Sequence, residues 1–320
     1  MSPVLPICYL QCALVAGIAF PAAAEQLADF GHPAAEDLLY ASPTRSDHIG
    51  RIMAPVMING RGPFRFIVDT GAGVSTISPQ LAITLGLDPS AESPMVVNGI
   101  TGTAQVPSVS IRKLEAGALV IENARFPVVW APLMAGADGI LGVAGLQNDR
   151  IFVDFRSNRV VISHSRGSSA PVGFDRIPAR LLRGGLMVAE ARIAGVRVQA
   201  IIDTGSERTI GNSALRDALY ARRRGEAKPK MTDVYGATSD VVAGEMYIAP
   251  TIVLGPLRIA RVTVVFGDFH IFEVWGMQAL PAIIIGMDVL GTVDSLGIDF
   301  RRKELYIRSL QSAPGFEVSR

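Results

Sequence analysis

Phe66-Ile67-Val68-Asp69-Thr70-Gly71-Ala72 returns 134 residues later as Ala200-Ile201-Ile202-Asp203-Thr204-Gly205-Ser206. In each copy an apolar run of strand character delivers an aspartate to a glycine turn. A carboxylate at the end of a buried strand is costly to ionise unless it is hydrogen-bonded or paired. Two of them placed symmetrically share one proton, so identical side chains become an acid and a base.

The duplication reaches well beyond the motif. Ser78 and Asn212 each stand nine residues after their aspartate, and both suit a helix N-cap. Pro79 follows at the favoured first helical position and Gly86 can end that short helix, while 214–224 reads as its partner in the second half. Further on, Ala137-Asp138-Gly139-Ile140-Leu141-Gly142 answers Ala282-Ile283-Ile284-Ile285-Gly286. There the offset has grown to 144, so ten residues are inserted between. Val153-Asp154-Phe155-Arg156 pairs in the same way with Ile298-Asp299-Phe300-Arg301, and each is followed by an alternating strand, 160–163 and 305–308. Further strands are expected at 52–58, 64–68, 106–111, 118–121, 186–193, 196–202 and 258–266, with turns at Asn59-Gly60, Ala194-Gly195 and Gly255-Pro256. The pattern is all-β, in two halves with one or two short helices each.

A chain of 320 residues is long enough for two cores. Its 32 glycines and 20 prolines suit many turns and short strands. A net charge of +1 gives no electrostatic reason to expect nucleic acid or an anionic membrane surface as partner. Residues 1–24 carry no charge, hold an apolar stretch around 7–20 and end in Pro21-Ala22-Ala23-Ala24, the pattern of a cleaved signal peptide. The expectation is therefore an exported protein, periplasmic or secreted. An uncleaved membrane anchor is the alternative, because the stretch approaches spanning length. Cys8 and Cys12, the two cysteines, both fall inside this segment, so the mature chain would hold no disulfide and no thiolate-bound metal. The expected organisation continues with a lead or pro-segment at 25–48, a first lobe at 49–165, a linker rich in Gly, Ser and Pro at 166–180, a second lobe at 181–310 and a tail at 311–320.

These residues resemble the aspartic proteases, in particular retropepsin-like bacterial proteins with both lobes on one chain. The resemblance rests on the doubled Asp-Thr-Gly-Ala/Ser motif and on the later Ile140-Leu141-Gly142 and Ile284-Ile285-Gly286. It covers about residues 49–309. It implies a bilobal acid-protease fold, two β-barrel-like lobes about a pseudo-twofold axis, with Asp69 and Asp203 facing each other in the cleft between them. It implies an aspartic endopeptidase that uses a bound water and neither metal nor cofactor. Gly71 and Gly205 would let each turn fold tightly, Thr70 and Thr204 would lock the two loops together, and Gly142 and Gly286 would admit a strand behind each loop. Ala72 and Ser206 complete the loops. Ser206 is expected to donate a hydrogen bond to Asp203 while Ala72 offers Asp69 nothing, which makes Asp203 the more readily ionised and predicts an acid shift on Ala72→Ser. Flaps over the cleft are expected at Gly99-Ile100-Thr101-Gly102 and around Tyr235-Gly236. The first lobe lacks the flap tyrosine of pepsin-like enzymes. The partner implied is an extended peptide or protein, and dimerisation is not required because one chain supplies both aspartates.

Other chemistries fit less well. His32, His48, His164 and His270 form no zinc motif, and Ser75 lacks the second glycine of a nucleophile elbow. Gly71-Ala72-Gly73 lacks the third glycine of a dinucleotide loop. The basic run Arg222-Arg223-Arg224 with Lys228 and Lys230 reads as a solvated helix end and loop, and Trp130 and Trp275 as core or cleft wall. Two rival functions remain: a non-catalytic relative that grips peptides by strand addition, and a carboxylate-pair glycosidase.

Overall fold

The computed structural model describes the backbone of Cys8–Tyr9 and residues 51–129, 134, 136–166, 170–220, 229–238 and 240–308. The strands of the first half are β1 (Cys8–Tyr9), β2 (Met53–Ile58), β3 (Arg61–Val68), β4 (Thr76–Ile77), β5 (Met95–Asn98), β6 (Thr103–Val106), β7 (Ser108–Ala116), β8 (Leu119–Pro127), β9 (Gly139–Leu141), β10 (Asp149–Asp154) and β11 (Arg159–His164). Asn59 and Gly60 both adopt left-handed backbone, φ 51 and 75, the turn geometry that matches strand twist between β2 and β3. Helix α1 (Pro79–Leu85) starts where expected: Ser78 Oγ accepts from Leu81 N at 3.0 Å, and Gly86 ends it at φ 71.

Six of these strands form one sheet in the order β4-β9-β3-β2-β7-β8. β3 and β9 run parallel, with Val68 opposite Leu141, and β4 adds antiparallel to β9. The strand that carries Asp69 is thus central in the sheet.

The second half repeats the plan with β12 (Asp175–Leu181), β13 (Met187–Ile193), β14 (Val196–Ile202), β15 (Ile210–Asn212), β16 (Lys230–Tyr235), β17 (Val241–Ile248), β18 (Ile252–Leu254), β19 (Leu257–Ile259), β20 (Thr263–Gly267), β21 (Ala282–Ile285), β22 (Ser295–Asp299) and β23 (Glu304–Arg308). Helices α2 (Ser213–Tyr220), α3 (His270–Val274) and α4 (Met287–Leu290) lie among them. β14 runs parallel to β21 and β15 antiparallel to β21, as β3, β9 and β4 do in the first half. Asn212 Oδ1 caps α2 through Leu215 N at 2.9 Å and also accepts from Ala282 N at 3.1 Å, fastening the helix to β21.

The lobes are sewn together along their last hairpins. β10 pairs antiparallel with β22, from Arg150 opposite Asp299 to Asp154 opposite Ser295, and the sheet continues through β23 to β12. One buried cluster runs through both halves, including Phe66, Ile151, Val188, Ile284 and Phe300. Each such side chain contributes about 1.5–3 kcal/mol when removed from water. The fold is a two-lobed all-β structure.

Some boundaries differ from expectation. The stretch 166–180 is not a linker throughout, because β12 occupies its second half. Two prolines and a Gly-Ser run outweighed an alternating pattern in which Ile177 is buried, and Ala179 N still reaches Lys303 O at 2.9 Å just after Pro178. The run 106–111 is broken at Pro107, and 258–266 is broken between β19 and β20. α2 ends at Tyr220, and Arg222–Arg224 and Lys228 lie outside the described residues. So do Trp130, Cys12, the 25–48 lead, the 311–320 tail and the proposed signal peptide apart from β1. That short strand runs parallel to β5, Cys8 opposite Val97 and Tyr9 opposite Asn98.

Candidate active site

β3 and β14 end at Asp69 and Asp203, and the residues that follow fold into two matching loops. Each aspartate is anchored from behind by the strand it neighbours: Asp69 N donates to Leu141 O at 3.0 Å and Asp203 N to Ile285 O at 3.1 Å. The threonines reach across the axis. Thr70 Oγ1 donates to Ile202 O at 2.8 Å and Thr204 Oγ1 to Val68 O at 2.7 Å, while each hydroxyl accepts from the other threonine's amide at 3.1–3.2 Å. All four residues are buried, so each bond is sheltered from water and expensive to leave unmade.

The glycines explain the closeness. A Cβ on Gly71 would stand 2.5 Å from the Asp203 carboxyl, and one on Gly205 would collide with the Asp69 carboxyl. Gly142 and Gly286 press against the backs of the loops, where a Cβ would lie 2.7 Å from Ala72 O or 2.6 Å from Arg208 O. Ser75, weighed above only as a nucleophile, and Thr209 complete this packing. Ser75 Oγ accepts from Gly142 N at 3.1 Å, and Thr209 Oγ1, at the equivalent position, from Gly286 N at 3.3 Å.

Both carboxyls are buried, and each lies against the glycine of the opposite loop. Oδ1 of Asp69 accepts from Gly71 N at 2.8 Å. Oδ1 of Asp203 accepts from Gly205 N at 2.9 Å and Ser206 N at 3.2 Å. The remaining oxygens, Asp69 Oδ2 and Asp203 Oδ2, receive no N–H or O–H from the described residues. Two like charges buried this close together disfavour double ionisation, so one carboxyl keeps a proton. Burial holds Asp69 well above the ordinary 3.8, reinforced by the Asp203 charge and by the bond to it, against a smaller downward pull from Gly71 N–H and the charge of Arg51. Burial also raises Asp203, but less, to about 6, because the amides of Gly205, Ser206 and Gly71 and the bond from Asp69 favour its ionised form. The pair titrates as a unit, and two amides on Asp203 Oδ1 against one on Asp69 Oδ1 bias the proton toward Asp69.

Asp203 is thus the more acidic partner, as expected, but not for the expected reason. The Ser206 hydroxyl turns away and donates to Arg208 O at 2.8 Å, and it is the Ser206 amide that bonds the carboxylate. In the first loop the matching amide, Ala72 N, goes to Asp69 O at 3.2 Å instead. The asymmetry therefore lies in the backbone, which gives Ala72→Ser no route to the Asp69 carboxyl.

The two expected flaps are hairpins, β5–β6 and β16–β17, and they meet at their tips. Gly99 N bonds Gly102 O at 2.8 Å to close the first turn, and Thr101 Oγ1 lies 3.0 Å from Thr238 Oγ1 of the second. Only small residues permit this approach: a Cβ on Gly236 would lie 2.6 Å from Thr101 Oγ1, and one on Gly99 3.2 Å from Ala237 N. Ile100 is fully buried, whereas Tyr235 is 46% exposed. His270, which sequence reading left unassigned, adds a second tie. Its Nε2 lies 2.7 Å from Thr103 Oγ1, whose own proton goes to Asn98 Oδ1 at 2.7 Å, so the imidazole is the donor. No local pattern foretold it, because 167 residues separate the pair.

A cavity of about 310 Å³ lies between the stretch five to seven residues after Asp203 and the second hairpin, lined by Arg208, Ile210, Val234 and Met246 among others. A larger one of about 590 Å³ lies on the other side of Arg208, against Asp288–Leu290.

No curated protein matches the chain. The aspartyl protease family model matches residues 54–144 and 189–289, one segment in each half and together more than half of the sequence, and the chain therefore belongs to the aspartyl protease family.

Proposed function

We propose that the protein is an endopeptidase that hydrolyses extended peptides with a water held between Asp69 and Asp203. The observation that carries this reading is the pair of buried carboxyls, each lying against the glycine of the opposite loop and each keeping one oxygen without a donor among the described residues. Ionised Asp203 takes a proton as the water oxygen attacks the scissile carbonyl carbon, and Asp69 passes its proton to the carbonyl oxygen. Collapse of the tetrahedral species breaks the C–N bond. Asp203 gives its proton to the leaving nitrogen, and Asp69 recovers one from the hydroxyl. No covalent intermediate forms. The amides of Gly205 and Ser206 keep Asp203 ionised enough to act as base, and the threonine pair fixes both loops in register. Hairpins that touch tip to tip support a covered cleft that excludes water during the reaction.

Against the glycosidase alternative stands the match of both halves to the aspartyl protease family model. The non-catalytic alternative is opposed by retention of both aspartates together with their full loop support. Export belongs to the same reading and is supported by the uncharged, apolar 1–24 stretch.

The test is cleavage of a peptide library by the purified protein beside Asp69→Asn and Asp203→Asn. Each substitution is expected to lower the rate by about 10²–10⁴-fold. Undiminished cleavage by either variant, or none by the wild type, contradicts the proposal.

A further inference from the structure

The two halves of the cleft are not chemically equivalent. At the offset of 134 that relates Thr70 to Thr204, Glu207 and Arg208 stand where the first lobe has Gly73 and Val74. Around Val74 the described residues of the first lobe are apolar, a cluster of Met53, Ile67, Ala72, Val97 and Met134. The second lobe instead keeps the 310 Å³ cavity, between the loop that follows Asp203 and the strand that leads to Gly236. Alternation along β16 turns Lys230, Thr232 and Val234 to one face and Met231, Asp233 and Tyr235 to the other. Val234 is buried, which identifies the first set as the inward one. The floor is then apolar, from Ile210, Val234, Met246 and Val265, and the cations Arg208 and Lys230 line it as well. Asp233 is the single carboxylate among the lining residues, and it belongs to the exposed face of the strand. Asp288, which feels the charge of Arg208, is held on the far side by Thr209 N at 3.0 Å and Thr209 Oγ1 at 2.7 Å.

We propose that this cavity selects substrate, and that it takes an acidic side chain of an extended peptide, glutamate in preference to aspartate. Methylenes are needed to cross the apolar floor before a carboxylate reaches Arg208 and Lys230, and glutamate has one more than aspartate. A guanidinium in a half-buried site forms the stronger, charge-assisted bond, while exposed Lys230 adds a weaker attraction that salt reduces. The identity of the ligand as a peptide rests on the peptidase reading; the charge preference rests on the cavity alone.

The experiment walks a single glutamate through a fixed peptide, with glutamine and lysine at the same positions as controls. Binding of labelled peptides is measured by fluorescence anisotropy on the full-length Asp69→Asn protein, which needs no turnover, and cleavage is followed on the wild type. At one position glutamate should bind about tenfold tighter than glutamine, the low end for a charged hydrogen bond because solvent screens the site. Arg208→Lys should keep the preference, Arg208→Glu should transfer it to lysine, and Lys230→Gln, an exposed change, should weaken it by a smaller factor. Equal binding of glutamate and glutamine at every position overturns the proposal, as does an acid preference that survives both Arg208→Glu and Lys230→Glu. Selective binding without any cleavage by wild type would support the cavity's assignment while defeating the peptidase reading, and cleavage without selectivity would do the reverse.

Discussion

Two backbone amides decide which aspartate is the acid. Ser206 N reaches the Asp203 carboxylate, but its counterpart Ala72 N is used by the carbonyl of Asp69. The hydroxyl of Ser206 is an accessory to the loop, bonded to Arg208 O. Ser206→Ala should therefore leave the acidic limb of the pH–rate profile in place, while loss of the hydroxyl bond lowers stability by about 1 kcal/mol in chemical denaturation. A limb displaced toward higher pH would mean that the hydroxyl, not the amide, sets the charge of Asp203. The sequence shows which side chains could donate here but not which way they point. Backbone donors are invisible to it altogether, and so the direction of the asymmetry was legible and its cause was not.

At the scale of elements, the proposed function makes the first hairpin a flap that opens to admit a peptide. It is tied twice to the second lobe: Thr101 meets Thr238 in the turn, and His270 of α3 donates to Thr103 at the start of β6, beside that turn. Removing the histidine should release this tie while leaving the Thr101–Thr238 contact. His270→Ala is expected to speed amide exchange across β5 and β6 by about five- to tenfold, the equivalent of one hydrogen bond, with little change in β16 and β17. Uniform exchange across the protein, or no change in β5 and β6, would show that the imidazole does not hold the hairpin. Elements with local signatures were readable in advance: the Asn59-Gly60 and Ala194-Gly195 turns, the Ser78 and Asn212 caps and most strand cores all fall where the pattern puts them. β12 was not, because Pro171, Pro178 and the Gly-Ser run signal a break, and only pairing with β13 and β23 reveals that Ile177 has a buried place to go.

Across the whole molecule, the duplicated plan brings together groups more than 130 residues apart, and the cost is two carboxyls held out of water. That cost has a pH signature. Folded Asp203 has its pKa raised from 3.8 to about 6 and Asp69 is raised further, so between these values the folded protein binds protons that the unfolded chain releases. The stabilisation from protonating the pair is complete below 3.8 and is lost as the pH rises through about 6. Relative to an Asp69→Asn/Asp203→Asn double variant, the wild type should lose stability steadily as the pH rises across that window in urea unfolding. Parallel stability curves for the two proteins would contradict burial of the dyad. The repeat itself, and with it the two-lobed architecture and both aspartates, could be read from the motifs and their offset. The charged cavity at Arg208 and the buried Arg51, whose charge reaches Asp69, could not, since each depends on which remote strands face it.

The most direct test of the shared proton is a carboxyl carbon-13 titration of the two aspartates, assigned by comparison with the Asp69→Asn and Asp203→Asn proteins. The account predicts that one carboxyl, that of Asp69, stays protonated well above the ordinary range while Asp203 ionises near 6, and that each titration changes when the other aspartate is replaced. Two independent transitions close to 3.8, each indifferent to the other residue, would contradict it.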